Sequence, residues 1–225
     1  MDVLIIGLDR HVYGLAGHLI NGRKKMLRLI YDTETTGLPL DYKAHVHDVD
    51  NWPRMVQLAW GVYDDDMSPL SMRNHIINPY FSYEIPASAS LVHGITDEKA
   101  NEEGEDIMLV LAEFQVAQQL CNLQIGHNVN FDRKVIGAEF IRAGMEAGYQ
   151  LGKDMERYCT MFKTTKMCGL RHASGRGGNK WPNLQELHAH LFGEGFKEGH
   201  NAMVDVEATA RCYKELLFIG EAGAK

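Results

Sequence analysis

Two carboxylates stand two residues apart in Asp32-Thr33-Glu34, at the end of the apolar run Leu27–Asp32. Residues i and i+2 of a β-strand point to the same face, so this spacing predicts two carboxylates that converge on one point. Such close like charges raise a pKa unless a cation lies between them. Carboxylate oxygens are ligands that suit Mg²⁺ or Mn²⁺. The segment predicts a metal site at a strand end, with a solvated strand end as the alternative interpretation.

Two later segments also carry acids in defined surroundings. The apolar stretch before Gly126–Asp132, GHNVNFD, predicts a strand that runs into a turn, after which Asp132 opens a helix. An acid there is also compatible with a simple helix-dipole partner. His200 precedes Asp205 by five residues, which predicts a histidine at the lip of a helix and an acid one turn inside it. A histidine can take a proton from water near neutral pH, although either residue taken alone is more typical of a solvated surface.

Together, and in this order, the three segments resemble the motifs of the DnaQ-like, DEDDh-type 3′–5′ exonucleases. The matching stretches read YDTETTGLP, GHNVNFD and HNAMVDVEAT, and SLVHGIT resembles the HGI loop of that family. The resemblance covers residues 26 to about 218. It implies an α/β, ribonuclease-H-like fold, in which helices flank a five-stranded mixed sheet. It also implies an exonuclease domain over residues 26–225, preceded by an N-terminal extension, residues 1–25, whose role it leaves open.

The resemblance assigns roles position by position. It implies four metal ligands for two divalent cations, Mg²⁺ or Mn²⁺, and a histidine as general base. The ligands are Asp32, Glu34, Asp132 and Asp205, and the base is His200. The implied reaction hydrolyses a phosphodiester bond at a 3′ end and releases a nucleoside 5′-monophosphate. The implied substrate-binding residues are Thr35, Thr36, Gly37, Leu38, His93 and Asn128, where a plain turn at 35–37 and a core position for Leu38 are the alternatives.

Apolar patterning predicts the elements that must hold these segments. Strands are predicted at Leu27–Asp32, Met55–Asp64, Ser71–Asn78 and Leu123–Gly126. Helices are predicted at Asp106–Cys121, Asp132–Ala143, Cys159–Met167, Asn183–Leu191 and His200–Ile219, with helical turns at Ser88–Leu91 and Asp97–Glu105. Strands come first and later alternate with helices, which indicates an α/β domain with a mixed sheet.

Composition excludes several classes of protein. The chain has 225 residues, 45% hydrophobic and 24% charged, which suits an α/β domain rather than a disordered chain. Its longest apolar runs have six residues, whereas a membrane-spanning helix needs roughly 20, and no basic region precedes the first of them as a secretory signal requires. Four widely spaced cysteines without a C-x-x-C pair favour a reduced, cytoplasmic location.

The net charge of −7 argues against a protein that coats nucleic acid through charge alone. Four of the negative charges are predicted metal ligands, however, and two bound divalent cations would leave about −3. A locally basic stretch, Lys163–Lys180, is predicted to contact a nucleic-acid backbone, with a solvated loop as the alternative. Trp52 and Trp181, which precede prolines, are candidates to stack on bases, whereas Trp60 is predicted to lie in the core.

The predicted substrate is the 3′ end of single-stranded nucleic acid, with DNA favoured over RNA and no membrane partner. An exoribonuclease is the nearest alternative, because the motifs do not reveal a contact to a 2′-hydroxyl. A non-catalytic binding module on the same fold is an alternative of another class, and the presence of all five catalytic positions counts against it. A DNA polymerase remains one candidate partner, although the short segment after the last predicted helix favours a stand-alone enzyme or an isolated nuclease domain.

Overall fold

The computed structural model describes residues 26–80, 82–175, 177–197 and 199–222, and the backbone of residues 19–20 and 23–24. Those two short segments, β1 (Leu19–Ile20) and β2 (Arg23–Lys24), pair as antiparallel strands. Most of the predicted extension, residues 1–25, lies outside the described residues. Within the described part of the chain, no helix combines the length and apolar character needed to cross a membrane.

A five-stranded mixed sheet forms the centre of the fold. Its strands are β3 (Arg28–Thr35), β4 (Met55–Tyr63), β5 (Pro69–Ile76), β6 (Leu123–Gly126) and β7 (Glu156–Cys159). They lie in the order β5-β4-β3-β6-β7. β4 is antiparallel to β3 and β5, while β6 is parallel to β3 and β7 is parallel to β6. This architecture confirms the predicted fold class, and it places β3, which carries the first acidic motif, in the middle of the sheet.

Helices cover both faces of the sheet. They are α1 (Ala87–His93), α2 (Asp97–Glu103), α3 (Ile107–Leu120), α4 (Val129–Arg142), α5 (Glu146–Asp154), α6 (Thr160–Cys168), α7 (Leu184–Phe192) and α8 (Ala202–Phe218). Leu29 and Tyr31 of β3 pack with Phe140 of α4 on one face, and Ile30 packs with Val206 of α8 on the other. Because side chains alternate along a strand, Asp32 and Glu34 continue the face toward α8, and Thr33 continues the face toward α4.

The predicted elements are present, with instructive differences at their ends. β3 continues to Thr35, so Glu34, which the predicted strand Leu27–Asp32 left outside, lies inside the strand together with Asp32. The prediction that Asp132 opens a helix is wrong, because α4 begins at Val129 and Asp132 lies in its first turn. The prediction that the last helix includes His200 is also wrong, since α8 begins at Ala202. α5 and β7 were not predicted from the sequence.

Candidate active site

The four predicted metal ligands meet at the end of β3. Asp32 and Glu34 extend from β3, Asp132 from the first turn of α4 and Asp205 from the first turn of α8. Burial raises the pKa of Asp32 well above its ordinary value, and the charges of Asp132, Asp205 and Glu34 add to the effect in that order. Each acid therefore lies within electrostatic range of the others, as the order of the motifs predicts.

Asp132 is fixed by the strand beside it. The backbone N–H of Thr33 donates to its Oδ1 at 3.1 Å, and the Thr33 hydroxyl donates to the same oxygen at 2.8 Å. The residue is only 3% exposed. Burial raises its pKa to about 7, although the bonds from Thr33 act in the opposite direction. The sequence alone did not identify Thr33. It lies between two acids that share one face of the strand, so its side chain must point to the other face, and this was the available signal.

Replacing Thr33 by valine is expected to weaken divalent-cation binding by about 10- to 100-fold, the usual effect of losing a hydrogen bond that orients a ligand. The variant keeps the shape of the side chain and the backbone bond to Asp132 but removes the hydroxyl. Calorimetric titration with Mn²⁺ measures the change. Thr164→Val is the matched control, because that buried hydroxyl donates to the carbonyl of Thr160. Equal affinities in the two variants would remove Thr33 from this role.

The pKa values of the remaining carboxylates, Glu34 and Asp205, are also raised. Burial raises the pKa of Glu34 to about 8, with contributions from Asp205 and Asp132. Burial likewise raises the pKa of Asp205, against the opposing effect of His200. Ligand atoms of Glu34, His200 and Asp205 lie within 4.8 Å of one another, the one such group found among the described residues. A cluster of oxygen donors that needs positive charge to ionise fully fits a hard divalent cation.

The turn before α8 places the backbone of His200 against the side chain of Asp205. His200 has a left-handed backbone, with φ of 70°, and its N–H donates to Oδ2 of Asp205 at 3.0 Å. Asn201 caps the helix by accepting from the N–H of Met203 at 3.1 Å. The imidazole is exposed at the mouth of the site. The segment thus holds a histidine beside the acids and open to water, which is the position that a general base requires.

Gln57 ties the start of α8 to the sheet. Its Oε1 accepts from the N–H of Ala202 at 3.2 Å, and its Nε2 donates to Oδ1 of Asn74 at 2.8 Å. The residue pairs with Glu34 in the β3–β4 register and is buried. Sequence reasoning missed Gln57, and the available signal was a single polar residue inside the otherwise apolar strand MVQLAW. Gln57 fixes the helix start from which His200 and Asp205 extend.

The loop after β3 and the end of α1 border the acids. The Thr36 hydroxyl accepts from the N–H of Arg54 at 3.0 Å, and the Thr35 hydroxyl donates to the carbonyl of Gly37 at 2.6 Å. Leu38 is 72% exposed, so the alternative of a core position for it is wrong. Burial lowers the pKa of His93, with a further lowering from the charge of His200, so this histidine is neutral near pH 7.

A cleft of about 490 Å³ opens at the acids on the side of α7. It is lined by Asp32, His127, Asn183, Leu184, Gln185, Phe196, Gly199, His200 and Asp205. His127 is held on both sides, by the Thr160 hydroxyl at 2.9 Å and by the Pro182 carbonyl at 2.9 Å. Burial lowers its pKa to about 4, so the ring is neutral. Asn128, the next residue, has a left-handed backbone with φ of 72° at the start of α4, a conformation that asparagine tolerates.

Some of the other residues predicted to contact nucleic acid are exposed, and others already have partners within the protein. Lys163, Lys166 and Arg171 are exposed, Lys180 pairs with Glu186, and Arg176 lies outside the described residues. Trp60 lies in the core as predicted, with 1% of its surface exposed. The expectation that Trp52 is free to stack is wrong, because it is 3% exposed and its Nε1 donates to the carbonyl of His45 at 3.2 Å. Trp181, in contrast, is 58% exposed.

The chain matches a family model and several solved structures. The model of the RNase_T family, described as exonuclease, matches residues 29–213. A structure of exonuclease I matches with a TM-score of 0.68 at 23% identity, over 86% of this chain and 41% of that one. The zinc-bound complex of E. coli exonuclease I with single-stranded DNA matches with a TM-score of 0.67 at 21% identity, over 87% and 41%. A product-bound exonuclease I matches with a TM-score of 0.67 at 20% identity, over 87% and 44%.

These structural matches establish a shared fold. The chain spans about two fifths of the length of the exonuclease I chains that it matches. No curated protein matches the chain. The family match, by contrast, extends from β3 to α8 and so includes all three acidic motifs.

Proposed function

Because this chain belongs to the RNase_T family of exonucleases, we propose that it removes nucleotides one at a time from the 3′ end of single-stranded DNA. The proposal is carried by one observation: ligand atoms of Glu34, His200 and Asp205 lie within 4.8 Å of one another, and the charges of Asp32 and Asp132 act on the same group of acids. The products would be nucleoside 5′-monophosphates. The four acids and the histidine are the residues to which the resemblance to the DEDDh-type exonucleases assigns these roles.

Asp32, Glu34, Asp132 and Asp205 would hold two divalent cations, Mg²⁺ or Mn²⁺, through carboxylate oxygens. When bound, such cations activate a water and stabilise the charge that develops on the phosphate and on the leaving oxygen. The raised pKa values of these acids are compatible with this assignment, because burial and repulsion between the acids raise them and a bound divalent cation would offset both effects. Thr33 and Gln57 would act as positioning residues, since they orient Asp132 and the start of α8.

His200 would remove a proton from the water that attacks the phosphorus. A ring nitrogen of His200 lies within 4.8 Å of carboxylate oxygens of Glu34 and Asp205, close to where the water must stand. Exposure of the imidazole supports the role as well, because the proton can then pass to solvent before the next turnover. Because burial lowers the pKa of His93, its ring would stay neutral. His93 would line the pocket of the terminal nucleotide.

The loop after β3 would receive the terminal nucleotide. Thr35, Thr36 and Gly37 would offer hydroxyl and backbone groups to the 3′-hydroxyl, and the exposed Leu38 would press against a base. Asn128 would lie beside the phosphate, since it directly precedes the helix that carries Asp132. Structures of E. coli exonuclease I have been solved with dT13 and dA16 oligonucleotides, which supports DNA as the substrate class proposed here. We place the enzyme in the cytoplasm, in keeping with its four free cysteines.

A direct assay tests this function. Single strands of DNA and RNA with the same base order and a 5′ label are incubated with Mg²⁺ or Mn²⁺, with and without a chelator. The expected result is a ladder of products shortened from the 3′ end, faster on DNA and abolished by the chelator. A strand blocked at its 3′ end is the control, and it should persist. Faster shortening of RNA would reassign the enzyme as an exoribonuclease, and no metal-dependent shortening of either strand would leave only a binding function.

A further inference from the structure

A second groove begins beside the acidic site. It has a volume of about 640 Å³ and is lined by Tyr42, Trp52, Asn128, Asn130, Phe131, Lys134, Met161, Phe162 and Trp181. Five of these nine residues are aromatic, and none of the described residues that line the groove is acidic. The groove meets the acidic site at the start of α4, because Asn128 and Phe131 flank the turn that leads to Asp132. It shares no residue with the described lining of the acidic cleft.

Exposed aromatic rings form the outer wall of this groove. The rings of Phe162 and Trp181 meet edge to face with centroids 5.0 Å apart, although they are 39% and 58% exposed. Tyr42 also lines the groove; it is 52% exposed, and its ring lies 6.5 Å from that of Phe131. Exposed rings gathered in one concave place are unusual for a protein surface and indicate a binding site.

Hydrogen bonds at His127 hold the outer wall in place. The ring bridges the Thr160 hydroxyl, at the start of the helix that carries Phe162, and the carbonyl of Pro182, the residue after Trp181. Asn183 then begins α7 with a capping box closed by Glu186. His127, which directly follows β6, therefore links the segments that carry Phe162 and Trp181 to the sheet. A ligand would meet a preformed surface.

Charge distinguishes this groove from the rest of the molecule. The chain carries a net charge of −7, yet the charged residue in the described lining of the groove is Lys134. Lys134 lies with Nζ 4.8 Å from the centre of the Trp52 ring and donates to the Tyr42 carbonyl at 2.7 Å. Lys163 and Lys166 are exposed on the same helix as Phe162. Aromatic faces combined with cations suit a ligand that carries flat bases and phosphates.

We propose that this groove holds the bases of the strand that lie 5′ to the nucleotide being removed, stacked on Phe162 and Trp181. The inference rests on the proposed function, because that function places a phosphate beside Asn128, where the groove begins. Every base has a face that can stack, so the groove binds without regard to sequence and lengthens the stretch of strand that the enzyme grips. Strands too short to reach the groove bind through the acidic site alone.

Strand binding with Ca²⁺ in place of Mg²⁺ or Mn²⁺ tests the groove separately from catalysis, because Ca²⁺ also binds carboxylate oxygens and the strand length checked after each titration shows that nothing has been cut. Affinities for a dithymidine and for an eight-thymidine strand are measured by fluorescence anisotropy with wild type and with the double variant Phe162→Ala/Trp181→Ala. We expect the double variant to bind the longer strand about 10-fold or more weakly and the dinucleotide as wild type does. Phe218→Ala, which removes an 85% exposed ring at the end of α8, is the matched control and should bind both strands normally.

A scan of the strand locates the stacked bases. Single abasic residues placed at successive positions should weaken binding to wild type at the positions that the groove holds. In the double variant the same abasic strands should lose nothing further, since the two changes remove one interaction. Trp181→Phe should retain most of the affinity, because a ring is still present.

The outcomes separate the two proposals. Unchanged binding of the longer strand by the double variant overturns the groove inference and indicates another occupant, such as a protein or a small molecule. Equal weakening for both lengths overturns it as well, because the variant has then altered the acidic site. A wild-type protein that binds strands through the groove but never shortens them rejects the proposed function and leaves the groove standing. If all variants shorten strands in a metal-dependent way and the double variant binds both strand lengths as wild type does, the proposed function stands and the groove inference is rejected.

Discussion

Replacement of Asp132 by asparagine is expected to reduce strand hydrolysis by about 10³-fold without loss of the fold. Asparagine matches aspartate in shape and keeps Oδ1 as an acceptor for the N–H and hydroxyl of Thr33. What the variant lacks is the negative charge that would hold a cation against the phosphate. The rate of release of nucleoside monophosphate, measured at saturating Mn²⁺, checks the prediction.

The same variant is expected to be more stable than wild type when no cation is present. Asp132 is 3% exposed, and burial raises its pKa to about 7, so above that pH the wild type holds an uncompensated charge. We expect the variant to gain ~1–3 kcal/mol in free energy of unfolding at pH 8 with a chelator. A variant that lost activity because it unfolded would show the opposite change, so the two measurements together separate a chemical role from a structural one.

Asp154→Asn is the matched control for both measurements. Asp154 is an exposed acid at the end of α5, where it accepts from Gln150 at 2.6 Å. Its replacement removes one negative charge from the chain but none from the acidic site. Activity and stability should stay close to wild type. Near-normal turnover in Asp132→Asn would show that Asp132 holds no cation and that the proposed site is wrong.

The shared face of the first two acids, the family and the fold could be predicted, because they rest on local rules and on motifs. Alternation along a strand placed Asp32 and Glu34 on one face, and the three motifs in order led to the exonuclease family and its fold, both of which are confirmed. The roles assigned to individual residues stay predictions. Helix starts were less accurate, because Asp132 and His200 were both placed at helix openings that the backbone puts at Val129 and Ala202.

What the sequence could not reveal depends on contacts between distant residues. Thr33 orients Asp132 across 99 positions, and Gln57 reaches Ala202 across 145. β7 was missed because ERYC is short and largely polar, and it becomes a strand through its pairing with β6. Trp52 was misjudged for the same reason, since the loop that carries it folds inward and its indole binds the His45 carbonyl. The aromatic groove likewise assembles residues from position 42 to position 181.

Removal of divalent cations is expected to make stability fall as pH rises from about 4 through about 8. The folded protein raises the pKa values of Asp32, Glu34, Asp132 and Asp205, to about 8 for Glu34 and about 7 for Asp132. The unfolded chain releases those protons near pH ~4. Between these limits the folded state holds protons that the unfolded state has lost, so the stability present below pH ~4 is lost as pH rises through the raised values.

A bound cation should reverse that trend, because it binds the deprotonated carboxylates and so binds more tightly as pH rises. At a free concentration 100 times the dissociation constant, it would add about 2.7 kcal/mol to the free energy of unfolding. Urea unfolding at several pH values, with a chelator or with Mn²⁺, measures both effects, and Asp132→Asn should show a shallower fall with pH than wild type. A chelated protein whose stability stays level from pH 4 to pH 8, or that gains equally from Mn²⁺ at both ends, would contradict a site built from four mutually repelling acids.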